Sequence, residues 1–146
     1  MLLLLLAPLA AQEPNRPGAA KKAEDLQYGV RVRGDKEVAR GKRLIIELTV
    51  VNESSRDVTL DFATSGRVCG ELYDADNKRY ARFPEVTLQV VGTETFLPKK
   101  KRIFQGEVPL EGFTKVVPGR HSVAAWLCGY GVQRAWAEFP LYIPKE

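Results

Sequence analysis

A length of 146 residues and a hydrophobic content of 45% predict a single domain that buries a core without depending on disulfide bonds. The formal net charge of +4 admits an anionic polymer, nucleic acid or an acidic protein as partner. We predict no nucleic-acid partner, because the basic residues are not interleaved with aromatic ones.

The chain opens with a short apolar leader, MLLLLLAPLAA, in residues 1–11. Leu2 to Leu6 resemble the apolar region of a signal peptide, and small residues favour cleavage after Ala11. The stretch is too short for a transmembrane helix, which needs about 20 apolar residues. No Lys or Arg precedes the leucines, so either the α-amino group supplies the positive charge or the true start lies upstream. We predict export to the periplasm, the cell envelope or the medium, with a cytoplasmic location as the alternative if the leader is not a signal peptide.

Residues 12–26, QEPNRPGAAKKAEDL, combine prolines, a glycine and mixed charge without apolar periodicity. This composition predicts a disordered linker rather than a folded segment. The folded domain is therefore predicted to occupy residues 27–146.

From residue 27 onward the apolar residues recur with a period of two, and no amphipathic helix is indicated. Turn-forming residues such as NESSRD (52–57) separate the runs. Seven to eight short strands without helical crossovers predict an all-β fold, an antiparallel β-sandwich. The runs are YGVRVRG, RLIIELTVVN, DVTLDFATSG, RVCGELY, RYARF, KRIFQGEVPL, GRHSVAAWLCG and RAWAEFPLYI.

The stretch RVCGELYDADNKRY (67–80) contains four potential oxygen ligands for a metal ion. A calcium loop of the helix-loop-helix kind, counted from Asp74, would place Lys78 and Arg79 at its fifth and sixth positions, where their charges would face the ion. Alternation around Cys69 instead indicates two strands joined by a turn. We predict a hairpin and no metal.

Several short motifs resemble the intracellular proteinase inhibitor family, the BsuPI-like domains of bacteria. The shared pattern is an apolar strand ending in Asn, a Ser-bearing turn, a Val-Thr-Leu-x-Phe strand, a Tyr-Asp-Ala-Asp hairpin and a Pro-Gly strand ending in Trp-Leu. The matching positions are Asn52, Ser54, Val58, Leu60, Phe62, Tyr73 to Asp76, Lys78, Pro118, Gly119, Trp126 and Leu127. The chain departs from the pattern at Asn77, where the family has Gly, at His121, where it has Tyr, and at ARF (81–83), which replaces a Trp-bearing run.

This resemblance implies an immunoglobulin-like sandwich and an inhibitor of a serine protease inside the cell. It carries over no reactive-site residue, and an exported chain would not meet an intracellular target. We therefore predict a non-catalytic protein-binding domain that resembles a proteinase inhibitor, with a protein partner of the serine protease class. The alternative is an exported structural or accessory domain at the cell envelope without inhibitory activity. The oligomeric state stays open.

Cys69 and Cys128 are the only cysteines. An even number in a chain with an export leader favours a disulfide, while unpaired thiols remain the main alternative. In the chain-entropy model, a bridge that closes a loop of about 60 residues contributes about 4 kcal/mol.

Nothing in the chain indicates catalysis. His121 is the only histidine and falls on the predicted buried face of a strand. The spacing disfavours a dyad with Cys128, because residues seven apart on a straight strand lie roughly 23 Å from each other. The sequence contains no nucleophile elbow, glycine-rich phosphate loop or zinc spacing. We predict neither enzymatic activity nor a cofactor.

Two groups of residues are candidates for binding a partner. The basic run Lys99, Lys100, Lys101 and Arg102 offers charge to an acidic surface or a trypsin-like protease, although charged strand entries also serve to discourage edge pairing. Trp126 and Trp136 fall on neighbouring strands and would form a binding patch if both face solvent. If both are buried, the structural alternative gains.

Overall fold

The computed structural model describes residues 23–33, 43–109 and 118–141. The described residues form nine β-strands. They are β1 (Leu26–Arg33), β2 (Arg43–Asn52), β3 (Val58–Phe62), β4 (Val68–Tyr73), β5 (Arg79–Phe83), β6 (Gly92–Phe96), β7 (Lys101–Pro109), β8 (Gly119–Leu127) and β9 (Ala135–Leu141).

The predicted all-β antiparallel sandwich is confirmed, but the predicted number of seven to eight strands is too low. The missing strand is β6, whose sequence GTETF contains Phe96 as its only large apolar residue. Such a strand has no apolar alternation to reveal it. It is recognisable only in the fold, where Thr59 of β3 lies opposite Thr95.

Strand β1 begins one residue before residue 27, the predicted start of the folded domain. Leu26 begins β1, and its side chain is fully buried. The preceding Asp25 accepts a hydrogen bond at its carbonyl from the amide of Glu53. The predicted signal peptide (1–11) and most of the predicted linker (12–26) lie outside the described residues.

The strands form three antiparallel sheets. One has the order β1-β2-β7, a second pairs β3 with β6, and the third has the order β5-β4-β8-β9. The core lies between the sheets, because each contributes one apolar face to it. Its largest fully buried apolar side chains are Phe62, Phe96, Leu26, Leu44, Ile46, Leu48, Leu60, Leu72, Leu127 and Leu141.

Two of the sheets are parts of one bent ribbon. The β2–β7 pairing runs from Arg43 opposite Pro109 to Val51 opposite Lys101, and the β3–β6 pairing begins again at Val58 opposite Phe96. The backbone turns between these pairings twice, once from β2 to β3 and once from β6 to β7. The predicted turn at residues 52–57 is the first of these two corners. The corner thus carries the chain out of one sheet and into the next.

The side chain of Asn52 holds this corner together. Its Nδ2 donates to the carbonyl of Arg56 at 2.6 Å and to that of Phe96 at 2.8 Å. Its Oδ1 accepts from the amide of Ser54 at 2.9 Å and from the Ser54 hydroxyl at 2.7 Å. The backbone carbonyl of Asn52 accepts from the amide of Lys99 at 2.8 Å. Asn52 is fully buried, so these contacts replace all contact with water.

We expect Asn52→Ala to lower the free energy of unfolding by about 3 kcal/mol, because it leaves several buried backbone groups without partners. Chemical denaturation measures this loss. The matched control is Asn77→Gly in the exposed β4–β5 turn, where Asn77 has a φ of 64° that glycine adopts without strain. The control is expected to change stability by no more than about 0.5 kcal/mol. Equal effects of the two variants would contradict the role of Asn52.

Candidate functional site

The stretch at residues 67–80 forms the predicted hairpin of β4 and β5. The amide of Asp74 donates to the carbonyl of Lys78 at 2.9 Å. The Asp74 carboxylate accepts from the amides of Asp76 and Lys78, both at 2.9 Å. The carboxylate thus serves the turn itself. Among the described residues, no group of three or more His, Cys, Asp or Glu side chains is arranged to hold a metal ion.

Cys69 and Cys128 form a disulfide in the structure, with their sulphurs 2.11 Å and their Cα atoms 4.9 Å apart. Cys69 lies in β4, and Cys128 follows the end of the neighbouring β8. The bond lies on the face of the four-stranded sheet turned away from the main core, where Cys69 is 8% exposed. It ties the end of β8 to the start of β4.

The two tryptophans do not form one exposed patch. Trp126 is only 3% exposed, with the guanidinium of Arg134 4.0 Å from the centre of its ring. The prediction that Trp126 contacts a partner is therefore wrong, because the loop after β8 folds back over the ring. Trp136 is 58% exposed and packs against Tyr73 with ring centres 5.5 Å apart. Trp136 alone of this pair is open to a partner.

Glu71, in the same strand as Tyr73, is a buried carboxylate paired with two arginines. One carboxylate oxygen accepts from Tyr73 at 2.9 Å and from Arg79 at 3.2 Å, and the other accepts from Arg134 at 3.2 Å. Burial acts to raise the pKa of Glu71, but the hydrogen bonds from Tyr73 and Arg79 and the charges of Arg79 and Arg134 outweigh it. The net result is a pKa below the ordinary value of 4.5. The network joins β4, β5 and the loop before β9.

The first half of the basic run supports the corner beside β2. Lys99 has a φ of 60°, and its ammonium group donates to the carbonyl of Glu53. The Glu53 carboxylate lies 3.9 Å from the same ammonium group. Lys100 and Lys101 are exposed. Within the basic run, these two lysines are the residues that present their charge to solvent and could attract an acidic surface.

Arg102, the last member of the run, is held by its surroundings. Its guanidinium pairs with Glu94 at 3.2 Å. It also lies over the rings of Phe96 and Phe104, at 5.3 and 4.8 Å from their centres. These contacts fix Arg102 between β6 and β7, so it is poorly placed to enter the pocket of a trypsin-like protease.

The most exposed apolar part of the described chain is the segment between β5 and β6, residues 84–91 with the sequence PEVTLQVV. We call it the apolar segment. It contains four large aliphatic side chains that face solvent, Val86 (82% exposed), Leu88 (66%), Val90 (57%) and Val91 (77%). It belongs to none of the strands of the described residues. Soluble proteins rarely expose so many neighbouring apolar side chains without an interaction to use them.

Sequence reasoning missed the apolar segment. Its alternation, VTLQVV, has the period of a half-buried strand and would have suggested one more buried element. Periodicity shows that side chains alternate, but not that the segment leaves the sheet. The cue in the sequence was Pro84, which cannot donate to a strand ladder and so marks the end of β5.

Ser65 holds the apolar segment at its middle. The amide of Ser65 donates to the carbonyl of Leu88 at 2.9 Å, and the amide of Leu88 donates to the Ser65 hydroxyl at 3.0 Å. The amide of Val90 donates to the same Leu88 carbonyl at 2.8 Å. The backbone of Leu88 is therefore fixed while its side chain stays in solvent. We call this contact the Ser65–Leu88 pair.

His121 is packed and hydrogen-bonded, in agreement with its predicted place on the buried face. It is 1% exposed, and its Nδ1 lies 2.8 Å from the hydroxyl of Tyr80. Its ring also packs against Phe139, with centres 5.8 Å apart. Burial raises the pKa of Tyr80. A histidine in this setting supports the core and is not accessible to a substrate.

A family model described as intracellular proteinase inhibitor, BsuPI, matches residues 31–132. The chain belongs to this family. The match includes the corner at Asn52, the β4–β5 hairpin and the whole apolar segment. The family description agrees with the resemblance seen in the short motifs of the sequence, and it supports inhibition of a proteinase as the general function.

The family description contradicts the predicted export. Its members are described as intracellular, which agrees with the cytoplasmic alternative. The prediction rested on the apolar run Leu2 to Leu6, which resembles a signal peptide but lacks a basic residue before it. In the part of the chain that the structure describes, no helix is long and apolar enough to span a membrane.

Solved structures are similar to this BsuPI-family chain at low sequence identity. A β-glucosidase involved in saponin metabolism from intestinal bacteria is 15% identical with a TM-score of 0.50, and the match covers 80% of this chain and 16% of the enzyme. For Spo0M, a sporulation control protein from Bacillus subtilis, the values are 14% and 0.46, with 84% and 50% covered. This chain thus spans a small fraction of the β-glucosidase, and the likeness concerns the fold alone. No curated protein matches the sequence significantly.

We expect Cys69→Ser to lower the free energy of unfolding of the oxidised protein by about 4 kcal/mol, because the bond joins residues separated by 59 positions. Denaturation under oxidising and reducing conditions tests this. In reductant, the wild type and the variant should unfold at nearly the same midpoint. An unchanged midpoint in the oxidised variant would show that the bond does not stabilise the fold.

Glu71→Gln is expected to cost about 2 kcal/mol at neutral pH, because charge-assisted hydrogen bonds are lost. Since the folded-state pKa of Glu71 lies below 4.5, its contribution is complete above pH 4.5 and declines as the pH falls below that value. Unfolding measured between pH 3 and 7 should therefore show the two proteins converging on the acid side. A difference independent of pH would contradict this account.

Proposed function

We propose that this chain is a non-catalytic inhibitor that binds a serine protease through the apolar segment, residues 84–91. The family assignment supports a proteinase as the partner. The observation that points to this segment is the exposure of its four aliphatic side chains, from 57% at Val90 to 82% at Val86.

A protease cleft binds an extended stretch of chain and accepts its side chains in pockets, several of which are apolar in many serine proteases. The aliphatic side chains of the apolar segment suit such pockets. Burying them in a cleft removes apolar area from water, which favours association by roughly 25 cal/mol for each Å². Binding in a cleft would therefore bury apolar side chains that the folded domain leaves in solvent.

An inhibitor differs from a substrate by being held in its bound shape before the encounter. The Ser65–Leu88 pair provides this restraint, because it fixes the backbone at the middle of the segment. Preorganisation lowers the entropy lost on binding. It also opposes the local opening that a protease needs to cut a chain.

The basic run is a weaker candidate for the same role. Arg102 is paired with Glu94, and Lys99 is bound to Glu53. A trypsin-like protease needs an extended cation to enter its pocket, and these contacts would have to break first. The exposed Lys100 and Lys101 remain able to attract an acidic rim beside the cleft.

Titration of the intact chain against active-site-titrated chymotrypsin-like, subtilisin-like and trypsin-like proteases tests the proposal. We expect inhibition of a protease with apolar specificity, and an increase in the inhibition constant of roughly tenfold or more for Val86→Asp and Val91→Asp. The matched control is Val132→Asp, since Val132 is 72% exposed but lies outside the segment. This control should inhibit like the wild type.

Three outcomes would reject the proposal. Inhibition that survives both aspartate substitutions would move the contact elsewhere, and loss in Lys100→Ala or Lys101→Ala alone would favour the basic run. No inhibition by a folded sample across the panel would support the alternative of a structural accessory domain.

Ser65→Ala removes one of the two cross-contacts to Leu88 while leaving the backbone hydrogen bond in place. We expect this variant to be cut within residues 84–91 faster than the wild type, because local opening becomes easier. Mass spectrometry of the cleavage products measures the site and the rate. Ser55→Ala, in the turn after β2, is the control; equal cleavage of both variants would deny the pair its restraining role.

A further inference from the structure

We propose that the Cys69–Cys128 disulfide supports the apolar segment and that its reduction weakens binding of the protease. This inference rests on the proposed function, since it concerns the regulation of the same site. It joins two observations, the position of the bond in the fold and the intracellular character of the family.

Gly66 is the physical link between the disulfide and the apolar segment. A methyl group placed on Gly66 would lie 3.6 Å from the Cys128 Sγ, 3.4 Å from the Pro84 Cγ and 2.9 Å from the Thr87 Cγ2. The space beside the Gly66 Cα is therefore bordered both by the sulphur and by side chains from the first half of the segment. A methyl group there would press against the Thr87 side chain and make ordinary contact with Pro84 and the sulphur.

The backbone around Gly66 connects the same parts. On one side of it, Ser65 holds Leu88. On the other side, the carbonyl of Arg67 accepts from the amide of Cys128 at 3.0 Å. Cys69 follows two residues later in β4. The disulfide thus fixes the start of β4, into which the Ser65 turn leads, to the end of β8. The Ser65 turn then holds the apolar segment.

The bond is exposed enough to react. Cys69 is 8% exposed, and Cys128 is half-buried. A thiolate of a dithiol reductant attacks the Cys128 Sγ, forming a mixed disulfide with Cys128 and breaking the Cys69–Cys128 bond. Cys69 leaves as a thiolate and takes up a proton. The second thiolate of the reductant then displaces Cys128, which also becomes a thiol, and the reductant leaves as a disulfide. Two electrons and two protons pass to the protein.

An intracellular location makes reduction of this disulfide a candidate for regulation. Disulfides in cytosolic proteins are usually transient and serve catalysis or redox sensing. The histidine that could activate a cysteine for catalysis, His121, lies buried against Tyr80. The β4–β8 ladder, which runs from Val68 opposite Leu127 to Tyr73 opposite Ser122, does not need the bond for its pairing. Reduction therefore loosens the Ser65 turn while the sandwich persists.

Hydrogen exchange of the intact chain, with and without dithiothreitol, tests the support independently of inhibition. We expect the amides of Leu88 and Val90 to exchange about tenfold faster after reduction, an effect like that of losing one hydrogen bond. The amides of Asp76 and Lys78, which also exchange by local opening but lie in the exposed β4–β5 turn at the far end of β4 from Cys69, should change less. Circular dichroism verifies the fold, and thiol titration verifies that the bond has opened.

Inhibition constants measured on the same samples test the consequence. We expect reduction to raise the inhibition constant about tenfold, and the Cys69→Ser/Cys128→Ser variant to behave like the reduced protein in both conditions. Unchanged exchange in the segment after the bond opens would overturn the proposal, as would an equal increase at Asp76 and Lys78. If neither state inhibits any protease, the proposed function and its redox control both fail, while the exchange data still decide whether the bond supports the segment.

Discussion

The fold depends on the burial of one amide side chain, that of Asn52. A β-sandwich needs its chain to leave one sheet and enter another, and at each such corner the backbone loses its ladder partners. Asn52 supplies both donors and acceptors at the corner where the β2–β3 and β6–β7 turns lie side by side. The Asn52 carbonyl also accepts a hydrogen bond from the amide of Lys99, in the turn between β6 and β7. The paired turn keeps β3 and β6 in register, so the apolar segment ends at a fixed position where it enters β6.

The proposed inhibitory site follows from this arrangement by short steps. β3 leads through the Ser65 turn into β4, and β5 leads through the apolar segment into β6. Both connections therefore lie at the same end of the β3–β6 ribbon, where Ser65 meets Leu88. Hydrogen-bonded strands lie on each side of the loop, a common arrangement for recognition sites. Polar networks such as that of Glu71 stabilise the scaffold at a distance from the loop.

The sequence predicts the sandwich well because apolar alternation reports burial on one face. It identified β2 and β8 from their alternating residues and the β4–β5 turn from its Asp and Asn residues. It failed where packing depends on residues distant in the chain. The burial of Trp126 requires the loop that carries Arg134, and β6 is a strand because β3 lies beside it. The exposure of Val86 and its neighbours is likewise a property of the assembled fold, since their alternation alone predicts the opposite.

The apolar segment has a second consequence, for the solubility of the protein. Residues 86–91, VTLQVV, contain no proline and no charged residue and consist mainly of β-branched and aliphatic residues. Six-residue stretches of this kind are prone to form intermolecular cross-β stacks when their backbone groups are free. Ser65 occupies the amide and carbonyl of Leu88, in the middle of the stretch, and so withholds them from a neighbouring molecule. The contact that shapes the segment for a partner thus also protects the unbound protein from aggregation.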